Sequence, residues 1–213
     1  MTRSAAKTSL RVDVRARLRD DIVQGRLRPG DVLRDLDLAA RYGVSTSPVR
    51  EAIADLAAER LIETATHSFK RVAPIDRERS LEFFAVFRLL ALHGYELGAA
   101  RIDASGLAHM AEVLAGQEAD GGASFSLFVD FHDPVFVACG NRELRRMLGL
   151  NHPWLQRLVV LLIGRNHPRD VTLRQAHSTL VALQAGDSGR AVALFRQSLD
   201  DLQAEIEQIP EIY

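Results

Sequence analysis

The sequence predicts a mainly α-helical protein of two domains, and three observations lead to this prediction. Apolar residues recur at helical spacing along most of the 213-residue chain. Only residues 61–72 contain short β-like runs. The charge balance also changes along the chain: residues 1–74 hold 14 Lys and Arg against 10 Asp and Glu, whereas residues 75–213 hold 13 against 18. We therefore expect domains over residues 1–74 and 75–213.

Composition excludes several classes of protein. Hydrophobic residues make up 47% and charged residues 26%, which is the mix of a globular chain and not of a disordered one. No run of roughly 18 apolar residues is present, and residues 1–10 are too polar for a signal segment. The single cysteine, Cys139, rules out an internal disulfide framework. These features favour a cytoplasmic location. A basic N-terminal part followed by an acidic C-terminal part is typical of a chain whose N-terminal part contacts phosphates.

The first domain reads as three helices and a hairpin. A helix over residues 10–25 is predicted from an apolar face formed by Leu10, Val14, Leu18 and Ile22. After a turn at residues 28–30 and an extended piece at 32–33, Asp35 is expected to cap a helix that runs to about Tyr42. Gly43 ends that helix, and Ser45 or Ser47 caps the next one, with Pro48 in its first turn.

These two helices, joined by residues 43–45, have the outline of a helix-turn-helix. The runs at residues 61–64 and 69–72 then predict a wing hairpin, so the first domain is a winged helix-turn-helix. From residue 75 onward we predict an all-helical bundle, in which Pro134 and Pro153 should kink or split their helices. Its helices are expected at residues 77–101, 104–118, 124–139, 141–164, 169–185 and 188–208.

Two stretches carry a family resemblance. The segment LRDLDLAARYGVSTSPVREAIADLAAERLIE at 33–63, with IVQGRLRPGDVL at 22–33 before it, resembles the GntR family of bacterial repressors. The later runs FVACGN at 136–141 and ALQAGD at 182–187 resemble the FCD domain of the FadR subfamily. The resemblance implies a ligand-responsive, DNA-binding transcription regulator. It would be a homodimeric repressor that a small organic acid-type effector releases from operator DNA.

A recognition helix places its N-terminal residues in the major groove, which here points to Ser45, Thr46, Ser47 and Arg50. Their hydroxyls and the forked guanidinium suit phosphates and base edges. The alternative is a purely structural role, in which the serines only cap the helix and Arg50 pairs with a nearby carboxylate. The two roles are compatible.

Three departures from the family weaken the expected DNA contacts. Leu36 and Thr46 stand where members usually carry arginine, and Ser68-Phe69 replaces a glycine-containing wing tip. Compensation is expected from Arg34, Lys70, Arg71 or the basic segment 1–28, so the operator should differ from the family consensus. The alternative is a dimerising regulator partner with a degenerate DNA-reading head.

The helical domain departs from the family in the same way. The resemblance implies a metal site of one Asp and three His, but the corresponding positions read Phe128, His132, Ala176 and Ser198. Asp130 and His177 lie nearby but are rotated by about 200° and about 100° around their helices. We therefore predict no metal and no other cofactor.

The predicted effector-binding residues are Arg88, His93, Phe128, His132 and His177. His132 is either a hydrogen-bonded core histidine or a polar anchor in the effector pocket. Arg88 lies in the apolar run FFAVFRLLAL, where burial of a charge is costly unless a partner compensates it. It either grips an effector carboxylate or pairs with an acidic group of this chain or a partner subunit.

No motif of an enzyme is present: the sequence has no Gly-x-Ser-x-Gly, no phosphate-binding glycine loop and no His-Glu-x-x-His. Cys139, in the run VFVAC, reads as a small buried hydrophobe. We expect no enzyme and no membrane contact. The expected partners are a second copy of the chain, a small effector, and an inverted-repeat operator whose half-sites lie roughly 34–36 Å apart.

Overall fold

The computed structural model describes residues 2–65, 69–119, 125–163 and 169–209. The chain divides between Asp76 and Arg77 into two compact units. The first unit contains the helices α1 (Thr2–Val23), α2 (Asp35–Tyr42) and α3 (Thr46–Ala58) and the strands β1 (Ile62–Ala65) and β2 (Phe69–Val72). The strands pair antiparallel, with Ile62 opposite Val72, and Val32 forms a bridge to Arg71. This confirms the winged helix-turn-helix.

The core of the first unit is built from the apolar faces that the sequence predicts. Val14, Leu18 and Ile22 of α1 are at most 2% exposed, as are three residues of α3: Val49, Ile53 and Leu56. The side chain of Leu10 lies outside the described part of α1. Because α3 uses one face for this core, its other face and its N-terminal tip are left for solvent.

The ends of α2 and α3 differ from the prediction in their capping. Gly43 ends α2 in the left-handed region, at φ 69°, as expected. Arg34, and not Asp35, occupies the N-cap position of α2, because the Asp35 carboxylate binds cationic side chains instead. Ser45 is the N-cap residue of α3, but its side chain makes no capping hydrogen bond. The capping role predicted for these side chains is therefore wrong.

The described residues of the second unit form helices and their connections, without a strand, which confirms the predicted bundle. α9 packs against α4 and α8, and α5 packs against α6. Its helices are α4 (Arg77–Ala99), α5 (Ala104–Ala119), α6 (Phe125–Ala138), α7 (Arg142–Ile163), α8 (Arg169–Gln184) and α9 (Ser188–Glu207).

These bounds lie within two residues of the predicted ones. Pro134 and Pro153 are accommodated inside α6 and α7, so neither proline splits its helix. Residues 120–123 and 165–168, in the gaps between predicted helices, and Ser68 at the wing tip lie outside the described residues. Among the described helices, none is both long and apolar enough to cross a bilayer.

Two glycines let α4 approach its neighbours closely. A Cβ atom built on Gly98 would lie 1.9 Å from the backbone oxygen of Val135 in α6. One built on Gly94 would lie 2.7 Å from a side-chain carbon of Leu144 in α7. The absence of side chains at these positions therefore sets the spacing between α4 and α6, on which the interior of the second unit depends.

Candidate nucleic-acid interface and effector pocket

The N-terminal tip of α3 is on the surface of the first unit. Ser45, Ser47 and Arg50 are exposed, and Thr46 is half-buried. Pro48 and Val49 are buried on the opposite side and hold the tip in place. Because the serine side chains make no capping bond, the first N–H groups of α3 are available to an anion, which a helix N-terminus favours.

Asp35 joins the recognition helix to the wing. Its carboxylate accepts hydrogen bonds from Arg50 Nε, at 2.7 Å, and from Lys70 Nζ, at 2.5 Å. Burial by itself raises the pKa of the Asp35 carboxyl, but the hydrogen bonds from Lys70 and Arg50 outweigh it and lower the pKa below its ordinary value. Arg50 thus pairs with a nearby carboxylate, as the purely structural alternative predicts, while its side chain stays 66% exposed.

A groove of about 740 Å³ brings part of the predicted DNA-binding set together. Arg34, Arg50 and Lys70 all line this groove, which lies between α2, the tip of α3 and the wing. Arg71 is used differently: its guanidinium binds Glu63 across the hairpin at 2.9 Å and lies 4.7 Å from the centre of the Phe69 ring. The groove therefore combines three cationic side chains with two carboxylates, Asp35 and Asp37.

A buried carboxylate anchors α2 to α1. Asp21 is 7% exposed and binds the Tyr42 hydroxyl at 2.8 Å, Arg26 at 2.6 Å and Arg41 at 3.1 Å. Burial raises the pKa of Asp21, but the hydrogen bonds from Arg26 and Tyr42 and the nearby guanidinium charges bring it below its ordinary value. The sequence analysis missed Asp21 and the pairing role of Asp35, because most of their partners lie 15 to 35 positions away and leave no local pattern.

In the second unit, His132 lies at the centre of an aromatic cluster. It is 7% exposed, and its Nδ1 atom lies 3.1 Å from the Tyr95 hydroxyl. The ring of Phe195 stacks on Tyr95 at 4.0 Å, and Phe128 contacts His132 edge-on at 5.3 Å. Burial lowers the pKa of His132 to about 3, so the imidazole is neutral at physiological pH.

The other predicted effector residues are not gathered around His132. Arg88 forms an ion pair with Asp200 of α9, which is the acidic partner that the sequence left as an alternative. His93 and His177 are exposed, while Ala176, the neighbour of His177, is buried. Phe128 is thus the member of the predicted set that contacts His132.

The residues at the positions that the resemblance implies for a metal site do not fit one. Ala176 has no donor atom, and the Ser198 hydroxyl is engaged by the side chain of Gln175 at 3.3 Å. Within the described ranges, no group of three His, Cys, Asp or Glu side chains is placed to hold a metal ion. An aromatic ring at Phe128 further replaces a carboxylate, so the donor set is too poor for a transition metal.

Tyr95 and Phe195 are the members of the aromatic cluster around His132 that sequence reasoning missed, and Gln175, which engages Ser198, was missed as well. Tyr95 and Phe195 lie on apolar faces of α4 and α9, where an aromatic residue reads as core. Gln175 Nε2 donates to Asp201 at 2.7 Å, which orients its amide toward Ser198. One signal was available: a tyrosine in a core usually needs a partner for its hydroxyl, and His132 was the buried polar candidate.

A winged helix-turn-helix with an exposed recognition tip, carried in one chain with a separate helical unit, defines a DNA-binding transcription regulator. Residues 10–68 match the family described as bacterial regulatory proteins, gntR family, and residues 82–201 match the FCD domain. The chain therefore belongs to the GntR family, with an FCD domain as its second unit.

Known relatives agree with this assignment. The chain is 28% identical to the HTH-type transcriptional repressor GlaR of Escherichia coli (strain K12), over 85% of this chain and 89% of the relative. It is 26% identical to the gluconate operon transcriptional repressor of Bacillus subtilis (strain 168), over 97% and 88%. A crystal structure of a GntR transcriptional regulator from Rhodococcus sp. RHA1 has the same fold, with a TM-score of 0.78, 23% identity, and coverage of 93% and 97%.

Proposed function

We propose that this protein is a homodimeric repressor that binds an inverted-repeat operator and is released by a small organic acid-type effector. Two winged heads would each read one half-site, and the helical unit would bind the effector. The proposal includes a cytoplasmic location, because operator DNA is there, and the absence of catalysis and of membrane contact.

The observation that carries the DNA-binding part is the exposed tip of α3 beside the three cations of the groove. Arg50 is the residue to which both features belong, since it projects from α3 and lines the groove. Its forked guanidinium can hold a guanine edge or a phosphate once Asp35 has set its direction. Ser45, Thr46 and Ser47 are the proposed contacts on the same tip, and Arg71 is a proposed contact from the wing.

The effector part rests on the aromatic cluster around His132. A neutral imidazole bonded to Tyr95 offers hydrogen bonds inside an otherwise apolar interior, which is the usual character of a small-molecule site. Gluconate, for which the Bacillus subtilis relative is named, is the anion of a carboxylic acid. A carboxylate effector that reaches Arg88 would have to exchange with Asp200, so this ion pair is the proposed point of competition.

Selection of duplexes from a random pool by the full-length protein tests the proposal. We expect an inverted repeat to be enriched, and Arg50→Ala to weaken binding to it about 5- to 150-fold for each half-site, since a bidentate contact contributes roughly 1–3 kcal/mol. Arg190→Ala, an exposed arginine of α9, serves as the control and should leave binding unchanged. Failure to enrich any duplex would overturn the proposal.

One observation favours a second candidate, a dimerising regulator partner with a degenerate head. Asp35 occupies both Arg50 and Lys70, and two arginines usual in the family are replaced by Leu36 and Thr46. A gel shift with the DNA upstream of its own gene, at low salt, separates the candidates. No shift at any protein concentration, together with a dimeric mass, would favour the second.

A further inference from the structure

The groove of the first unit has an exposed apolar wall that the functions described above leave unexplained. Val32, Leu36 and Phe69 line it with side chains that are 65%, 74% and 37% exposed. Single exposed apolar residues are ordinary, but several large ones along one groove mark a binding surface.

Leu36 is free to serve this surface because the core does not use it. The buried side of α2 consists of Leu38, Ala39 and Tyr42. Leu36 lies about 200° around the helix from Leu38 and so points away from that side. Its neighbour Asp35 binds Arg50 at 2.7 Å. Leu36 and the cation of the recognition helix therefore face the same groove.

The charges around the wall indicate what covers it. Arg34, Arg50 and Lys70 lie along the same groove and outnumber its two carboxylates, Asp35 and Asp37. A rim with an excess of cations suits a polyanion better than a second copy of the chain. A helix tip in the major groove meets base edges, and the apolar group presented there is the C5-methyl group of thymine. The ligand that fits both the rim and the wall is thus a duplex with a thymine near the base or phosphate that Arg50 contacts.

We propose that Leu36 is a specificity-determining residue that contacts the C5-methyl group of a thymine next to the base or phosphate bound by Arg50. This inference rests on the proposed function, since it requires the head to bind duplex DNA. Val32 and Phe69 extend the apolar wall toward the wing. Leucine at this position thereby changes which base is read, because a contact with a methyl group replaces the hydrogen bonds that an arginine would make.

The test uses the duplex that the full-length protein selects from a random pool. Each thymine is replaced in turn by deoxyuridine, which removes the methyl group and keeps the base pair. For the wild type we expect one position per half-site at which affinity falls about four-fold, and about fifteen-fold when both symmetric positions are changed, from the loss of one buried methyl group each. Leu36→Ala should bind the thymine duplex more weakly by similar factors. Its affinity should not fall further when deoxyuridine replaces thymine.

Leu150→Ala is the matched control, because Leu150 is an equally apolar side chain, 68% exposed, in the second unit. It should keep the full sensitivity to deoxyuridine. If no duplex is selected, the proposed function itself fails and the inference falls with it. If a duplex is selected but the deoxyuridine effect is missing, or is equal in the wild type and Leu36→Ala, the role of Leu36 is overturned while DNA binding stands. A changed dimer mass in Leu36→Ala would also overturn it, since the wall would then be a protein contact.

Discussion

His132 illustrates how a single residue is constrained by its surroundings. Its imidazole is enclosed by the rings of Tyr95, Phe128, Phe131 and Phe195, with centroids 4.9 to 5.4 Å away. A charged imidazole there would lose its hydration and find no carboxylate to replace it, so burial alone sets its pKa to about 3. The Tyr95 hydroxyl provides a hydrogen bond to the neutral ring.

This burial predicts a pH dependence of stability. Below pH 6.5 the unfolded chain binds a proton at His132 that the folded chain does not bind, so the free energy of unfolding falls as the pH falls, down to about pH 3. Between pH 7 and pH 5.5 the wild type should lose about 1 kcal/mol more than His132→Gln in urea unfolding. His93→Gln, at an exposed histidine, should behave as the wild type does. An unchanged slope in His132→Gln would contradict the neutral, buried state.

At the scale of elements, Asp35 couples α2, α3 and β2 through Arg50 and Lys70. The two ion pairs have a cost and a benefit for DNA binding. They neutralise positive charge that would otherwise attract phosphates. They also hold Arg50 in one direction, which favours a specific contact over a diffuse one.

Asp35→Asn separates these two effects. We expect binding to a scrambled duplex to strengthen, with a salt dependence steeper by up to about two phosphate contacts per head, because Arg50 and Lys70 are released. Preference for the operator over the scrambled duplex should fall, because Arg50 loses its orientation. Fluorescence anisotropy over a salt series measures both quantities.

Asp37→Asn is the control, since it removes the same charge from the same helix and groove. If Asp37→Asn lowers the preference for the operator equally, then only overall charge matters, and the positioning role of Asp35 is wrong.

The crossing of α4 and α6 depends on glycine. At Gly98 an added Cβ would meet the backbone of Val135 at 1.9 Å, so Gly98→Ala should destabilise the second unit by at least about 2 kcal/mol. At Gly116, in α5, an added Cβ would meet nothing within 4 Å. Gly116→Ala should therefore stabilise the protein, by about 0.5–1 kcal/mol, through helix propensity. Thermal unfolding of both variants measures the contrast. Equal effects would show that the close approach of α4 and α6 is not required.

The whole molecule combines a basic reading unit with an acidic helical unit. Binding of an effector changes operator affinity only if it favours one arrangement of two heads over another, because a ligand shifts an equilibrium by its difference in affinity for the two states. This mechanism requires two heads, and hence a dimer.

We therefore expect the purified chain to sediment at twice its 23.6 kDa. Two chains should bind one inverted repeat, and removal of one half-site should weaken binding on the order of 100-fold or more, through the loss of avidity. Analytical ultracentrifugation with and without DNA measures the mass and the stoichiometry. A monomer that binds single half-sites as strongly as the full repeat would exclude the mechanism.

The elements of this protein could be predicted from its sequence because they depend on local patterns. Helical periodicity placed Val14, Leu18 and Ile22 on one buried face, and a glycine with a positive φ at position 43 ended α2 where expected. The family likewise followed from contiguous residues, since the segment at 33–63 forms a single folded motif.

Pairings between distant residues were decided by the tertiary structure alone. Asp35 was expected to cap its own helix but instead binds residues 15 and 35 positions away, and Arg88 meets Asp200 across more than a hundred residues. His132 acquires its neutral state from rings on α4, α6 and α9. Periodicity determines which face of a helix is apolar. Which side chains meet across helices depends on how those faces pack against one another, and no local pattern encodes that.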